Sequence, residues 1–310
     1  GSGSFNLDRA KFEILNEGSA FNMSDNSLLI IDKTGLASTM FGDIYLTPAS
    51  YNIIGGEVRV GTGNTGAAMV FNMTATNPFW NLTVDGTTTT KTLNNQTNAT
   101  TILNVLNIDG NSIFKANGLD ITVGGNFINK NNSSATGINS GGYQPGSNSQ
   151  TTYLNGSLGD QTLTGFTGNL TNFANLVINN TYPAGAINLA AGISNIRVNG
   201  TLNLNSGSLN IADNTFSSIG NILTNVACTS TTGYFVIGGT SAQTIGGNGS
   251  ASFQNFKMQN AAGSELTAPL TINGILNFNT GLLYINNYLL TLGESSSISG
   301  TLNTNNMIRV

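Results

Sequence analysis

The chain has no histidine and one cysteine, Cys228, in 310 residues. The first absence removes the side chain best suited to proton transfer near neutral pH, so Ser-His-Asp and Cys-His catalysis are excluded. The second removes an internal disulfide, a zinc cluster and an iron–sulfur site. Charge is scarce as well. Only 8% of residues are charged, against about a quarter in an ordinary soluble domain. Ten Lys+Arg against 14 Asp+Glu leave a net charge of −4 and no basic run that would neutralise consecutive phosphates, so nucleic acid is not an expected partner. No stretch of about 18 uninterrupted apolar residues exists, and membrane insertion is not expected. No cofactor is implied.

In place of these residues stand 39 glycines, about 48 asparagines and a 39% hydrophobic fraction, enough for a continuous core. Apolar residues alternate with polar ones over runs of three to five. The breaks between runs are Asn-Gly, Asp-Gly, Gly-Gly or Ser-Gly, and no helical face of useful length appears.

The sequence also repeats. Phe79-Trp80-Asn81-Leu82, Phe173-Ala174-Asn175-Leu176 and Phe253-Gln254-Asn255-Phe256 each open a strand-like run. Leu106-Asn107-Ile108, Leu202-Asn203-Leu204 and Leu276-Asn277-Phe278 follow at similar distances, and Gln161-Thr162-Leu163 matches Gln243-Thr244-Ile245. The units lie near 71–128, 161–220 and 243–300. Corners about seven residues apart suit a coil better than hairpins, the β-sandwich being the competitor. The expected fold is therefore all-β: a single parallel β-helix (β-solenoid) over 1–310, of roughly 12–14 coils at about 22 residues each. Each coil would bond to its neighbours at about 4.8 Å. Asparagine then ladders from coil to coil, whereas stacked like charges would repel. A stretch near 129–150, almost without apolar residues, reads as a polar loop projecting from a corner. Thr224 to Gly239, around Cys228, departs from the repeat; Cys228 itself reads as a small buried apolar residue. The opening Gly1 to Ser4 suits either an added linker or a native turn. The abrupt last strand, Met307 to Val310, suggests a fragment of a larger protein with neighbouring domains.

Several phrases resemble the β-helical repeat regions of large secreted surface proteins of Bacteroidota, of the adhesin and filamentous haemagglutinin-like kind exported by type IX secretion. They are Gly42-Asp43-Ile44-Tyr45-Leu46-Thr47-Pro48 with Gly55-Gly56-Glu57-Val58-Arg59-Val60-Gly61, Ala242-Gln243-Thr244-Ile245 with Phe253-Gln254-Asn255, and Leu290-Thr291-Leu292-Gly293 with Ser297-Ile298-Ser299-Gly300. The resemblance implies an extracellular or cell-surface location and a structural or adhesive role, and it carries no catalytic motif.

Site candidates are few. Asp85 and Asp109 each precede a glycine at a spacing that would stack them one coil apart. Corner chemistry interchangeable with Asn-Gly, a calcium site, and acid/base catalysis with Asp120 and Lys115 all fit that pair. The runs Thr87 to Thr90 and Thr97 to Thr101 occur in one unit only, which favours turns over an ordered-water array. Trp80, the only tryptophan, and Tyr143, on the polar stretch, are the candidates for stacking on a sugar ring. The reading is a non-catalytic structural or adhesive stalk segment that contacts glycans or other cell-surface components; the alternative is a carbohydrate-active β-helix enzyme, a polysaccharide lyase or hydrolase.

Overall fold

The computed structural model describes residues 11–34, 43–62, 67–133, 137–166, 168–190, 195–249 and 251–310. Gly1 to Ser4 and Gly42 lie outside them. The described chain is all-β, without a helix, wound into a succession of parallel strands that stack as a β-solenoid of about 11 turns.

One turn shows the rule. Asn175–Asn179, Ala186–Leu189 and Asn195–Val198 lie on three successive faces, here called sheets 1, 2 and 3. The next turn lays Leu202–Ser206, Ser208–Asn210 and Thr215–Ser218 on the same three faces in parallel register. Strand Thr100–Gly110 runs through the corner between sheets 1 and 2 and serves both. Local alternation decides which side chains enter. Leu202 and Leu204 are buried and the intervening Asn203 is not. Each buried Leu contributes about 1.5–3 kcal/mol, and since a lone turn would leave one side of every core residue open to water, turns are stable only as a stack.

The turn count falls below the 12–14 expected because turn length is not constant. Thr215 stacks on Tyr234, whereas Phe12 stacks on Ile44 and Phe114 on Tyr143, with longer excursions between them. At one strand spacing per turn the rod is roughly 50 Å long.

The internal repeat is real but rotated. Phe79 lies on sheet 1 beside Ile102, Phe173 on sheet 3 beside Val198, and Phe253 on sheet 2 beside Ile272. From each Phe to the next, the chain completes three turns and two further faces. Leu106, Leu202 and Leu276 step round in the same way, over Phe127, Ile222 and Ile298 on sheets 2, 1 and 3. All six are buried, so the repeat preserves the inward direction and shifts the face by one third of a turn. The Gln-Thr match has the same origin. Gln161 Nε2 donates to the carbonyls of Val123 (3.0 Å) and Gly125 (2.6 Å), and Gln243 Nε2 to those of Ser218 (3.2 Å) and Gly220 (2.7 Å). Both glutamines point inward and tie a corner to the turn below, at different corners.

Outside, asparagines ladder between turns: Asn179 Nδ2 donates to Asn155 Oδ1 and Asn205 Nδ2 to Asn179 Oδ1, both at 2.7 Å. Neutral amides both donate and accept, so identical neighbours satisfy one another.

Two expectations are corrected. The 129–150 stretch does insert a loop, with no strand among the described residues between Phe127–Asn129 and Tyr143–Gln144, but it does not project freely: Asn131 Nδ2 bonds the Ser112 carbonyl at 2.6 Å, Asn129 Nδ2 bonds Thr171 Oγ1 at 3.1 Å, and Tyr143–Gln144 forms a strand on Ile113–Lys115. The side chains of Asn129, Asn131, Gln144 and Gln150 are spent on the protein's own backbone and neighbours. Thr224 to Gly239, in turn, follows the coil, with Cys228 in the core between Leu209 and Phe253. Burial pushes the Cys228 thiol up, which suits an inert core residue.

Corners place hard limits on substitution. Gly281 adopts φ +99°, and a Cβ there would lie 1.8 Å from the Asn260 carbonyl oxygen. Gly281→Ala should lose about 1–3 kcal/mol to the backbone angle alone, before the clash is counted. Urea denaturation checks it, and an unchanged midpoint would mean that this corner has another conformation.

Candidate functional site

An outward array of charged and amide side chains crosses sheet 2 near its early turns. Strand pairing aligns Glu57 with Asn81, Arg59 with Thr83 and then Asn107, and Asp85 with Asp109. Lys130 follows the next strand on that face, and its Nζ lies 3.8 Å from Asp109 Oδ1. In a chain with so little charge, this is a concentration of both signs.

The charges are organised rather than scattered. Arg59 grips Glu57 with two hydrogen bonds of 3.0 Å, Nε to Oε1 and Nη2 to Oε2. Burial would push the Glu57 carboxyl up, but hydrogen bonds from Arg59 and Thr83 and the Arg59 charge leave it below the usual carboxylate range. The hydrogen bond to Glu57 holds Arg59 above its ordinary value, helped by the charges of Glu57, Asp85 and Asp109. The Asp85–Asp109 pair stacks as its spacing predicts. Two like charges one strand apart would repel, and cations on either side offset this: Lys130, Arg59, and the fully buried Lys91. Lys91 Nζ donates to the Ala67 carbonyl and to Thr89 Oγ1. Burial lowers its pKa, opposed by the charge of Asp85.

The carboxylates are themselves partly occupied by local bonds. Asp85 Oδ1 accepts from Thr87 Oγ1 at 3.0 Å, and Asp109 Oδ1 from the Gly110 amide at 3.1 Å. Both bonds are local to their corners, one to the hydroxyl two residues on and one to the next amide. Asp120 does not join the pair. It precedes strand Ile121–Val123 at the next corner, where its Oδ1 accepts from the Thr151 amide at 2.8 Å. Lys115 lies on sheet 3, beside Asn94. Among the described residues no three Asp, Glu, Cys or His side chains group closely enough to hold a metal ion.

Trp80 sits two turns above the corner formed by Asp25, Asn26 and Ser27, with Gly55 and Gly56 on the turn between. Half-buried and packed against the core, it lines a groove of about 590 Å³ together with Leu28, Glu57 and Asn81. Glu57 and Asn81 also line the adjoining groove of about 350 Å³, which continues past Arg59, Thr83 and Asn107 to Lys130. An aromatic wall thus leads into a row of alternating donors and acceptors. That combination suits a polyhydroxylated ligand, whose apolar ring face stacks while its hydroxyls bond.

Tyr143 is removed from the candidates. It is 1% exposed, its ring stacked 6.2 Å from Phe114 and packed edge-on 5.1 Å from Phe127, and its hydroxyl lies 2.7 Å from Thr152 Oγ1. Burial pushes its phenol up, and no ligand reaches it. The polar sequence around Tyr143 suggested exposure, but those polar residues bond to the solenoid and leave the ring no place except the core.

Arg59, Lys91 and Lys130 escape a reading of motifs. The signal was the spacing: the separation that pairs Asp85 with Asp109 also aligns Arg59, Thr83 and Asn107. No family model, curated protein or solved structure matches this chain, so its own residues and its sequence resemblance carry the functional reading.

Proposed function

We propose that this chain is a non-catalytic, rigid stalk segment of a secreted bacterial surface protein that contacts glycans through the Trp80 groove. The observation that carries the reading is Trp80 at the head of the polar row Glu57, Asn81, Thr83 and Asn107. The solenoid supports the mechanical part. With each strand hydrogen-bonded to the turns on both sides, bending the rod would break many bonds at once. The early turns thereby hold their side chains at a fixed spacing, which lowers the ordering cost of binding an extended ligand. The resemblance to Bacteroidota surface proteins supports export to the cell surface by type IX secretion.

Chemically, the proposed site binds and releases without bond-making. Trp80 provides the stacking surface, the Asn107 amide meets sugar hydroxyls, and the Glu57–Arg59 fork presents one charge of each sign. Asn81, whose Oδ1 already accepts from Asn104 Nδ2 and the Val105 amide and whose Nδ2 donates to the Gly56 carbonyl, shapes the row between them.

Glycan-array binding followed by affinity electrophoresis tests this. Trp80→Ala should weaken binding of a retained neutral glycan by about thirtyfold, which corresponds to loss of a 2 kcal/mol hot spot. Because the ring also packs against the core, the variant is compared at a temperature where its unfolding curve shows it fully folded, and Trp80→Phe, which keeps a ring there, should lose less binding. Retention of every glycan by the variant would overturn the groove assignment. Turnover of a polysaccharide that Asp109→Asn abolishes would replace the stalk reading with the enzymatic one.

A further inference from the structure

A second groove lies on sheet 3, in the later turns and away from Trp80. It holds about 480 Å³. Outward residues of four successive strands make its floor and walls: Arg197, Ser217, Val236 and Lys257 stand in one register row. The middle of the row is low. Ser217 is short, and beyond Val236 the strand runs into Gly238 and Gly239, which also line the groove. Val236 is 7% exposed although its neighbours in sequence, Phe235 and Ile237, take the inward positions. An outward valine so covered is the floor of a depression. Tyr234 forms one side wall.

The two ends of the row are cations. Arg197 and Lys257 stand three strand spacings apart, about 14 Å between backbones. Arg197 is steadied by Asn172, whose Oδ1 accepts from its Nε at 2.8 Å. No carboxylate lines the groove. For a chain with ten basic residues and net charge −4, two cations facing one acid-free depression make a local field opposite to that of the whole molecule.

We propose that this sheet 3 groove binds an acidic polysaccharide, its anionic groups paired with Arg197 and Lys257 and a sugar ring lying against Tyr234 over the Ser217–Val236 floor. An extended chain fits the geometry better than a single small anion, because the cations are too far apart to share one. Carboxylate and sulfate have the same chemistry here, since both accept hydrogen bonds from a guanidinium fork and an ammonium. The inference deepens the glycan-contact reading by naming a ligand class, yet it rests on a different face, so the two stand or fall separately.

The test measures binding of polygalacturonate against its methyl ester, and of dextran sulfate against dextran, by biolayer interferometry at low salt. Wild-type protein should bind at least one polyanion and neither neutral counterpart. The arm that binds identifies carboxylate or sulfate. Lys257→Glu should weaken that binding at least tenfold with an unchanged melting midpoint, since the side chain is outward and makes no internal bond. Lys33→Glu, at an exposed lysine of the early turns outside both grooves, changes net charge equally and should leave it intact. The proposal is overturned by equal binding of the neutral polymers, by equal losses in Lys257→Glu and Lys33→Glu, by single-stranded DNA binding as tightly as the polysaccharide, or by no binding to either polyanion. If Trp80→Ala abolishes polyanion binding while Lys257→Glu does not, the ligand belongs to the sheet 2 groove and the sheet 3 site is wrong.

Discussion

Leu202→Asp should leave no folded protein. Leu202 is fully buried on sheet 1 between Leu176 and Ile222. Shortening a buried Leu costs about 2–5 kcal/mol, and an unpaired carboxylate in that place adds several more. The total approaches the about 5–15 kcal/mol that ordinary domains possess. Leu276→Asp should behave alike although it lies on sheet 3, because the inward direction, and not the face, sets the cost. Next door, Asn203 points outward between Val177 and Leu223, and Asn203→Ser should cost about 1 kcal/mol or less. Soluble yield and the cooperativity of thermal unfolding measure all three. A folded Leu202→Asp beside an unfolded Asn203→Ser would reverse the inside and outside of the coil.

Tyr143→Ala should be nearly as damaging, losing about 3–5 kcal/mol, the range for deleting a buried aromatic ring. In a chain of 310 residues that lowers the melting midpoint by about 5–8 °C. The ring bridges a discontinuity. Sheet 3 is interrupted between Tyr143–Gln144 and Leu170–Phe173, and the Tyr143 and Phe173 rings meet across the gap with centroids 5.5 Å apart. Tyr143→Phe keeps the ring and loses only the bond to Thr152, which Gln150 also engages, so about 1 kcal/mol is expected. Replacing 137–150 with a short Gly-Ser turn removes Tyr143 and the buried Gln150 together and should abolish soluble expression. A midpoint within two degrees of wild type for Tyr143→Ala would show that the aromatic bridge carries no load.

The candidate sites were legible unevenly. The Asp85–Asp109 stack follows from one sequence spacing, because parallel register converts a separation of one turn into adjacency. The exclusion of Asp120 from that stack does not, because its position depends on how many residues the chain spends at the preceding corner. Trp80 was visible as the sole tryptophan, whereas the groove beside it is made by Leu28 and Glu57 from two earlier turns. The row from Arg197 to Lys257 is further from view, as its four members are separated by turns of unequal length.

What the sequence by itself determined is the kind of structure: all-β, coiled, with leucines, isoleucines and phenylalanines inside and asparagines laddered outside. That much is local, since a period of two assigns each side chain to one surface of its strand, and Asn-Gly or Asp-Gly ends the strand wherever it stands. Only the tertiary structure decided which face each strand occupies. A face is the running total of every corner before it, so turns that vary in length carried Phe79, Phe173 and Phe253 onto three different sheets while keeping all three rings in the core. Tyr143 was decided the same way, since its direction depends on the turns it touches, through Phe114, Phe127 and Phe173, and not on the polar residues beside it in the chain.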